Sequence, residues 1–204
     1  MFIEALVKVA SAIVVLVVAV LANEYLARRL KIKPFLSRKM IHILGSTTIA
    51  ASTLFMDFKL YIFVALVFVP IMLIFRSKKL KSLSDRKSKS YGEVLFPVGI
   101  GLAALIASSS SVFVIAVLTM GISDTFAFLT GKYLKSPKLI LGKTLLGSLA
   151  FLISALIIAL IFAGFGWRAT VVALLATITE LVSPYGLDNA LVPSAICIAF
   201  MVLL

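Results

Sequence analysis

Hydropathy cuts this chain into eight apolar stretches joined by short polar connections, and that pattern leaves few choices of solvent or fold. The stretches are residues 5–22, 41–56, 60–75, 94–107, 112–130, 145–167, 169–182 and 189–204. Of the 204 residues, 62% are hydrophobic and the mean hydropathy is +1.19, whereas a soluble domain averages about 45–50% apolar residues. Such a chain needs lipid as its solvent, where backbone polar groups must be satisfied within the protein. The expected fold class is therefore all-α: a polytopic transmembrane helical bundle of about eight spans, forming a single integral membrane domain over residues 1–204. A tilted crossing helix wants about 20 residues, range ~17–25, so some stretches are expected to extend into flanking polar residues, or to be re-entrant.

The basic residues orient the bundle. Seventeen of the 20 Lys and Arg fall in three connections of one sidedness, 23–40, 76–91 and 131–144, leaving only Lys8, Lys59 and Arg168 opposite. Short cytoplasmic loops carry such an excess, so these are the expected inner loops, with both termini outside. The formal net charge of +12 follows from this topology, and nucleic acid is not an expected partner. The stretch 76–91, rich in Lys and Ser, is the expected mobile segment, placed to meet anionic headgroups. No removable signal peptide is expected, because the cluster Arg28, Arg29, Lys31 and Lys33 follows the first apolar stretch rather than preceding it. Cys197 stands alone and is expected to be a small buried apolar residue.

Only eight carboxylates occur, so each can be weighed. Glu4, Glu24, Asp57 and Asp85 lie at span ends or in loops and are expected to be solvated. Asp124 lies seven residues before Gly131, about 10 Å into a helical span at ~1.5 Å per residue. Glu180 lies near the inner end of its stretch, and Glu93 and Asp188 stand where inner connections pass into spans. A carboxylate at membrane depth is costly and by default faces the bundle interior with a partner; the bland alternative pairs Asp124 with Lys132 or Lys143. Acids around one inner pocket with lysines nearby suit Mg²⁺ and phosphates, because Mg²⁺ takes hard oxygen ligands and lysine supplies a point charge.

Other motifs fail on inspection. Gly142-Lys143-Thr144 resembles the end of a phosphate-binding loop, but Pro137 stands where the earlier glycine is required. Gly99-Ile100-Gly101 lies inside an apolar stretch, where small residues serve close helix packing. His42 has no second histidine for a metal site.

Five ordered elements carry a resemblance that covers most of the chain after residue 36. They are Arg38-Lys39-Met40-Ile41-His42; Gly92-Glu93-Val94-Leu95-Phe96-Pro97; Asp124-Thr125-Phe126-Ala127 followed by Gly131-Lys132; Lys143-Thr144-Leu145-Leu146-Gly147-Ser148; and Glu180 followed by Asp188-Asn189-Ala190-Leu191-Val192-Pro193. In these the chain resembles the polytopic membrane lipid-alcohol kinases of the dolichol and phytol kinase type, and more distantly the phosphatidate cytidylyltransferases. It departs from the pattern at Ser123, where the family has Gly, and at Leu146, where it has Glu. The resemblance implies an enzyme that moves the terminal phosphate of a nucleotide, CTP or else ATP, to the hydroxyl of a lipid alcohol, with Mg²⁺, at the cytoplasmic face. It implies Asp124, Asp188 and Glu180 at the metal, and Asp124, His42 and Glu180 in catalysis, with Asp124 the first choice of general base. Nucleotide and phosphate contacts fall to Arg38, Lys39, Glu93, Gly131, Lys132, Lys143, Thr144, Gly147 and Asn189. The competing expectations are cytidylyl transfer to a phosphorylated lipid, a small transporter using Asp124 and Glu180 as an ion relay, and a purely structural membrane protein.

Overall fold

The structure, a computed structural model, describes residues 2–77, 90–164 and 166–203. Among these it is a helical bundle without strands; a lone antiparallel bridge joins Lys138 to Thr144. Helices α1 (Phe2–Arg29), α2 (Pro34–Ser52), α3 (Tyr61–Ser77) and α4 (Gly92–Ile106) are followed by α5 (Ser110–Leu118) and α6 (Asp124–Tyr133). A π-turn, Thr119–Ser123, fuses these last two into one rod. Then come α7 (Leu145–Ala163), α8 (Trp167–Val182) and α9 (Asp188–Leu203). The described rods lie over the eight apolar stretches. Among the described residues, four segments are long and apolar enough to cross a membrane: Phe2–Arg29, Phe58–Arg76, Ser110–Tyr133 and Leu145–Ala163. Helices α4 and α9 are apolar but shorter, with 15 and 16 residues. This is the helix content of a membrane protein.

Local chemistry sets the helix ends. Pro34 opens α2, where its missing N–H costs nothing. Ser109 and Thr144 cap α5 and α7 by accepting the N–H groups of Val112 and Gly147 at 3.3 and 3.2 Å. Gly164, at φ +82°, closes α7 in a conformation that L side chains avoid.

The rod α5–α6 is the centre of the bundle. Every residue from Val112 to Leu118 is buried, as expected of a helix that is apolar all round. Around it, α1, α3 and α7 turn outward faces of Val14 and Val18, Leu66 and Leu73, Ile153 and Ile161. The small residues of α4 serve packing: a Cβ on Gly99 would overlap the Asn189 carbonyl of α9, and one on Gly101 would lie 2.8 Å from Ala65 of α3.

Two expectations change. The connection 23–40 is mostly helix, since α1 runs to Arg29 and α2 begins at Pro34, leaving residues 30–33 between them. Glu24 is accordingly buried rather than solvated; it accepts from Arg28 Nε at 2.5 Å one helical turn later. Glu4 and Asp57 remain at the surface, Glu4 beside Lys8 and Asp57 accepting the Lys59 N–H at 2.8 Å. Cys197 is buried within α9. Asp85 and residues 78–89 of the expected mobile segment lie outside the described residues.

The π-turn depends on close contact with α2. A Cβ on Gly121 would overlap the Ser46 side chain and lie 2.7 Å from the His42 carbonyl. Gly121→Ala is therefore expected to lower stability by about 1–3 kcal/mol, the usual cost of overpacking, as an earlier thermal unfolding transition in detergent. An unchanged transition would contradict this packing.

Candidate functional site

A polar cavity of about 350 Å³ opens where α2, α6, α7, α8 and α9 come together. Twelve of the thirteen candidate residues line it: Arg38, Lys39, His42, Asp124, Gly131, Lys132, Lys143, Thr144, Gly147, Glu180, Asp188 and Asn189. Four cations thus face three carboxylates.

The elements explain the placement. Arg38, Lys39 and His42 follow one another at helical spacing on α2, and the latter two are buried. Asp124 is the first residue after the π-turn, a wider turn that re-aims the side chains beyond it and recurs at functional sites. Thr125 Oγ1 ties that turn down by donating to the Gly121 carbonyl at 2.7 Å. Lys143 comes from the segment between α6 and α7, and Asp188 and Asn189 from the first turn of α9.

The acids are held by lysines in two groups. The Lys39 ammonium pairs with the Asp124 carboxylate, and His42 Nδ1 stands 3.9 Å from the same oxygen, too far for a hydrogen bond. The Lys143 ammonium pairs with Glu180 and lies 3.5 Å from Asp188 Oδ2. Asp188 Oδ1 in turn accepts the Asn189 N–H at 3.0 Å. Asp124 is thus partnered by Lys39, and not by Lys132 or Lys143. Lys132 instead places its ammonium 2.9 Å from the centre of the Phe35 ring, a cation–π contact.

Seven buried side-chain polar atoms among the described residues lack a hydrogen-bond partner, and five belong to residues lining this cavity. They are Arg38 Nε, His42 Nδ1, Ser148 Oγ, Glu180 Oε2 and Asn189 Oδ1. The other two, Thr119 Oγ1 and Ser123 Oγ, are on the π-turn next to it. An unsatisfied buried polar atom costs about 1–3 kcal/mol. Their concentration marks a place shaped for a polar occupant rather than for stability.

Asp124, Glu180 and Asp188 do not form a ready-made metal cage. No three His, Cys, Asp or Glu side chains among the described residues are grouped to hold a metal ion; Lys39 pairs with Asp124, and Lys143 stands between Glu180 and Asp188. The donor set still fits Mg²⁺, which is commonly held by one or two carboxylates together with phosphate oxygens and waters. Asp124 and Asp188 supply two such carboxylates in the cavity lining, and Arg38, Lys39, Lys132 and Lys143 suit a polyphosphate.

Glu93 stands apart from the other twelve. It is buried in the first turn of α4, where Arg76 of α3 takes its charge. Arg76 also donates to the Ser90 carbonyl at 3.1 Å and stacks on Tyr91 at 4.3 Å. Glu93 thus ties α3 to α4 and faces a second, apolar hollow. Gly131 and Gly147 act through the backbone: a Cβ on either would lie 2.7 or 2.9 Å from Thr144 Oγ1, so they let α6 and α7 meet beside the cavity.

Outside the thirteen candidates, Ser90, Ala127, Phe128, Gly142, Ser148 and Gly186 also line the cavity; of these, Ala127, Gly142 and Ser148 stand in the sequence motifs without an assigned role. Phe128 is one turn beyond Asp124, and Ser148 one turn beyond Thr144, so helical spacing was an available signal. Ser90 and Gly186 carried none. They are joined only in the fold, where the Tyr91 N–H donates to the Tyr185 carbonyl at 3.0 Å.

No family model matches the chain, and neither do any curated proteins or solved structures.

Proposed function

We propose that this chain transfers the terminal phosphate of CTP, or of ATP as the alternative donor, to the hydroxyl of an isoprenoid or similar lipid alcohol. The observation that carries this reading is the convergence of lysines, carboxylates and unpartnered buried polar atoms on one cavity inside an otherwise apolar bundle. Four of the five elements that resemble the lipid-alcohol kinases supply most of its wall; the fifth, residues 92–97, lies at the second, apolar hollow instead. In this reading the chain crosses the membrane eight times with both termini outside, and the cavity opens to the cytoplasm, as the distribution of Lys and Arg favours.

Phosphoryl transfer asks a protein mainly for positioning and neutralisation of charge. Arg38, Lys39, Lys132 and Lys143 neutralise the polyphosphate, and Asn189 Oδ1, which lacks a partner, accepts a hydrogen bond from a hydroxyl or a bound water. Asp124 and Asp188, with Glu180 nearby, would hold Mg²⁺, which would supply further charge neutralisation there. As nucleotide arrives, Lys39 turns from Asp124 to the phosphates, and the alcohol hydroxyl gives its proton to the freed Asp124 carboxylate. The alcohol oxygen then bonds to the terminal phosphorus while the bond from that phosphorus to the bridging oxygen breaks, leaving the nucleoside diphosphate. His42 Nδ1, buried beside Asp124 and unpartnered, positions the same hydroxyl by donating a hydrogen bond to its oxygen.

The test is purified protein with CTP labelled at either the γ- or the α-phosphate and a panel of lipid alcohols. Transfer of the γ-label to lipid is expected. Transfer of the α-label would instead mean cytidylyl transfer, and ion-coupled uptake into vesicles without any lipid labelling would mean a transporter.

A further inference from the structure

A second hollow lies between α1, α2, α3 and α4, with walls that include Leu16 and Val20, Ile49, Val64 and Phe68, and Ile100. Its enclosed space is about 40 Å³, room for roughly three water-sized groups at ~10–15 Å³ each. Its lining is almost wholly apolar, and its polar side chains are mostly answered. Glu93 is paired with Arg76, and the Tyr61 hydroxyl shares a 2.6 Å hydrogen bond with Ser52. The exception is His42, which lines this hollow and the polar cavity alike. Its ring packs on Phe96 with centroids 4.8 Å apart, and its Nδ1 is buried without a partner, 3.9 Å from Asp124 Oδ2. The two spaces therefore meet at one hydrogen-bonding group, with charge on one side and hydrocarbon on the other.

We infer that this hollow binds the hydroxyl-proximal carbons of the lipid alcohol, with the hydroxyl at His42 and the rest of the tail leaving along α1 towards the bilayer. A molecule that spans the junction needs a polar end and a narrow apolar segment next to it, which is the chemistry of a primary long-chain alcohol. Room for about three groups makes the hollow a gauge of chain width near the hydroxyl, not a container for the whole tail. Helix α1 suits an exit path because it is an outer helix: Leu16 and Val20 face inward, while Val14, Val15 and Val18 are exposed. Gly45 sets the width. A Cβ there would lie 3.4 Å from Phe96, an ordinary contact, so a larger side chain occupies the hollow without first displacing backbone.

The inference rests on the phosphate-transfer reading only for the identity of the acceptor; occupancy of the hollow is tested without nucleotide. The full chain in lipid nanodiscs is irradiated with a long-chain prenol that carries a diazirine near its hydroxyl, and adducts are mapped by mass spectrometry. Adducts are expected on α1–α4 at residues such as Val64, Phe68 and Ile100, suppressed by excess unmodified prenol. Gly45→Leu is expected to cut this competable labelling about tenfold; if that variant does not fold, Val64→Phe fills the same space and carries the test. Adducts spread over outward residues such as Leu66 and Ile153, or labelling indifferent to the folded filling variant, would overturn the inference. Lipid phosphorylation is measured on the same preparation. Mapped adducts without phosphorylation would leave the hollow standing and remove the kinase reading, whereas phosphorylation with scattered adducts would do the reverse.

Discussion

Asp124→Asn is expected to reduce phosphate transfer about a thousandfold, within the ~10²–10⁴ that a general base contributes, while the protein still folds and extracts in detergent. Asn keeps the shape of Asp and retains an oxygen that accepts from Lys39, so the contact between α2 and α6 survives. What disappears is a carboxylate able to take the alcohol's proton and to stand beside a divalent cation. The comparison variant is His42→Asn. If Asp124 is the base, this change weakens use of the lipid more than it slows the chemical step, raising KM for the alcohol with a smaller fall in kcat. The opposite pattern, near-normal turnover in Asp124→Asn and collapse in His42→Asn, would reassign the base to the imidazole.

Lys143→Met is the second large effect, and it falls on stability as well as activity. Lys143 places its charge between Glu180 and Asp188, both mostly buried, and also donates to the Glu180 carbonyl. Removing it takes from Glu180 and Asp188 the ion-pair partner they share. Breaking a buried ion pair from one side costs about 3–5 kcal/mol. The Lys143 side chain is 19% exposed to the cavity, which places the expected loss at the lower end, about 3 kcal/mol, read as a lower unfolding temperature in detergent. Adding Glu180→Gln is expected to recover part of the loss, since residues in one charge network are not additive. A single variant as stable as the parent would mean that the pair is not formed in the native protein.

The candidate residues were legible because ionisable groups are rare and costly in an apolar chain. Asp124 stands out by its depth, and Glu180 and Asp188 by standing at the inner ends of apolar stretches, and twelve of thirteen candidates line one cavity. The pairing was not legible. Lys39 and Asp124 are 85 residues apart, and hydropathy places both near the same surface without saying which lysine meets which acid. Glu93 shows the same limit in reverse: its place at a span entrance was evident, but the face of α4 on which it stands, and Arg76 opposite, are properties of packing. The π-turn left no mark in the sequence, because Thr119–Ser123 continues the apolar pattern on both sides. Helix ends were underestimated where charged residues continue a helix beyond its apolar run, as from Asn23 to Arg29, stabilised by Glu24 and Arg28 one turn apart. Four of the apolar stretches fall short of a full crossing: α4, α8 and α9 by length, at 15, 16 and 16 residues, and α2, at 19 residues, by the polar residues within it.

The most direct measurement is an experimental structure of the chain with a non-hydrolysable CTP analogue and Mn²⁺ in place of Mg²⁺. The account predicts a metal peak beside Asp124 and Asp188, with Lys39 and Lys143 turned from the acids onto the phosphates. Analogue bound elsewhere, or a cavity in which both lysines keep their carboxylates while nucleotide is present at saturation, would contradict it.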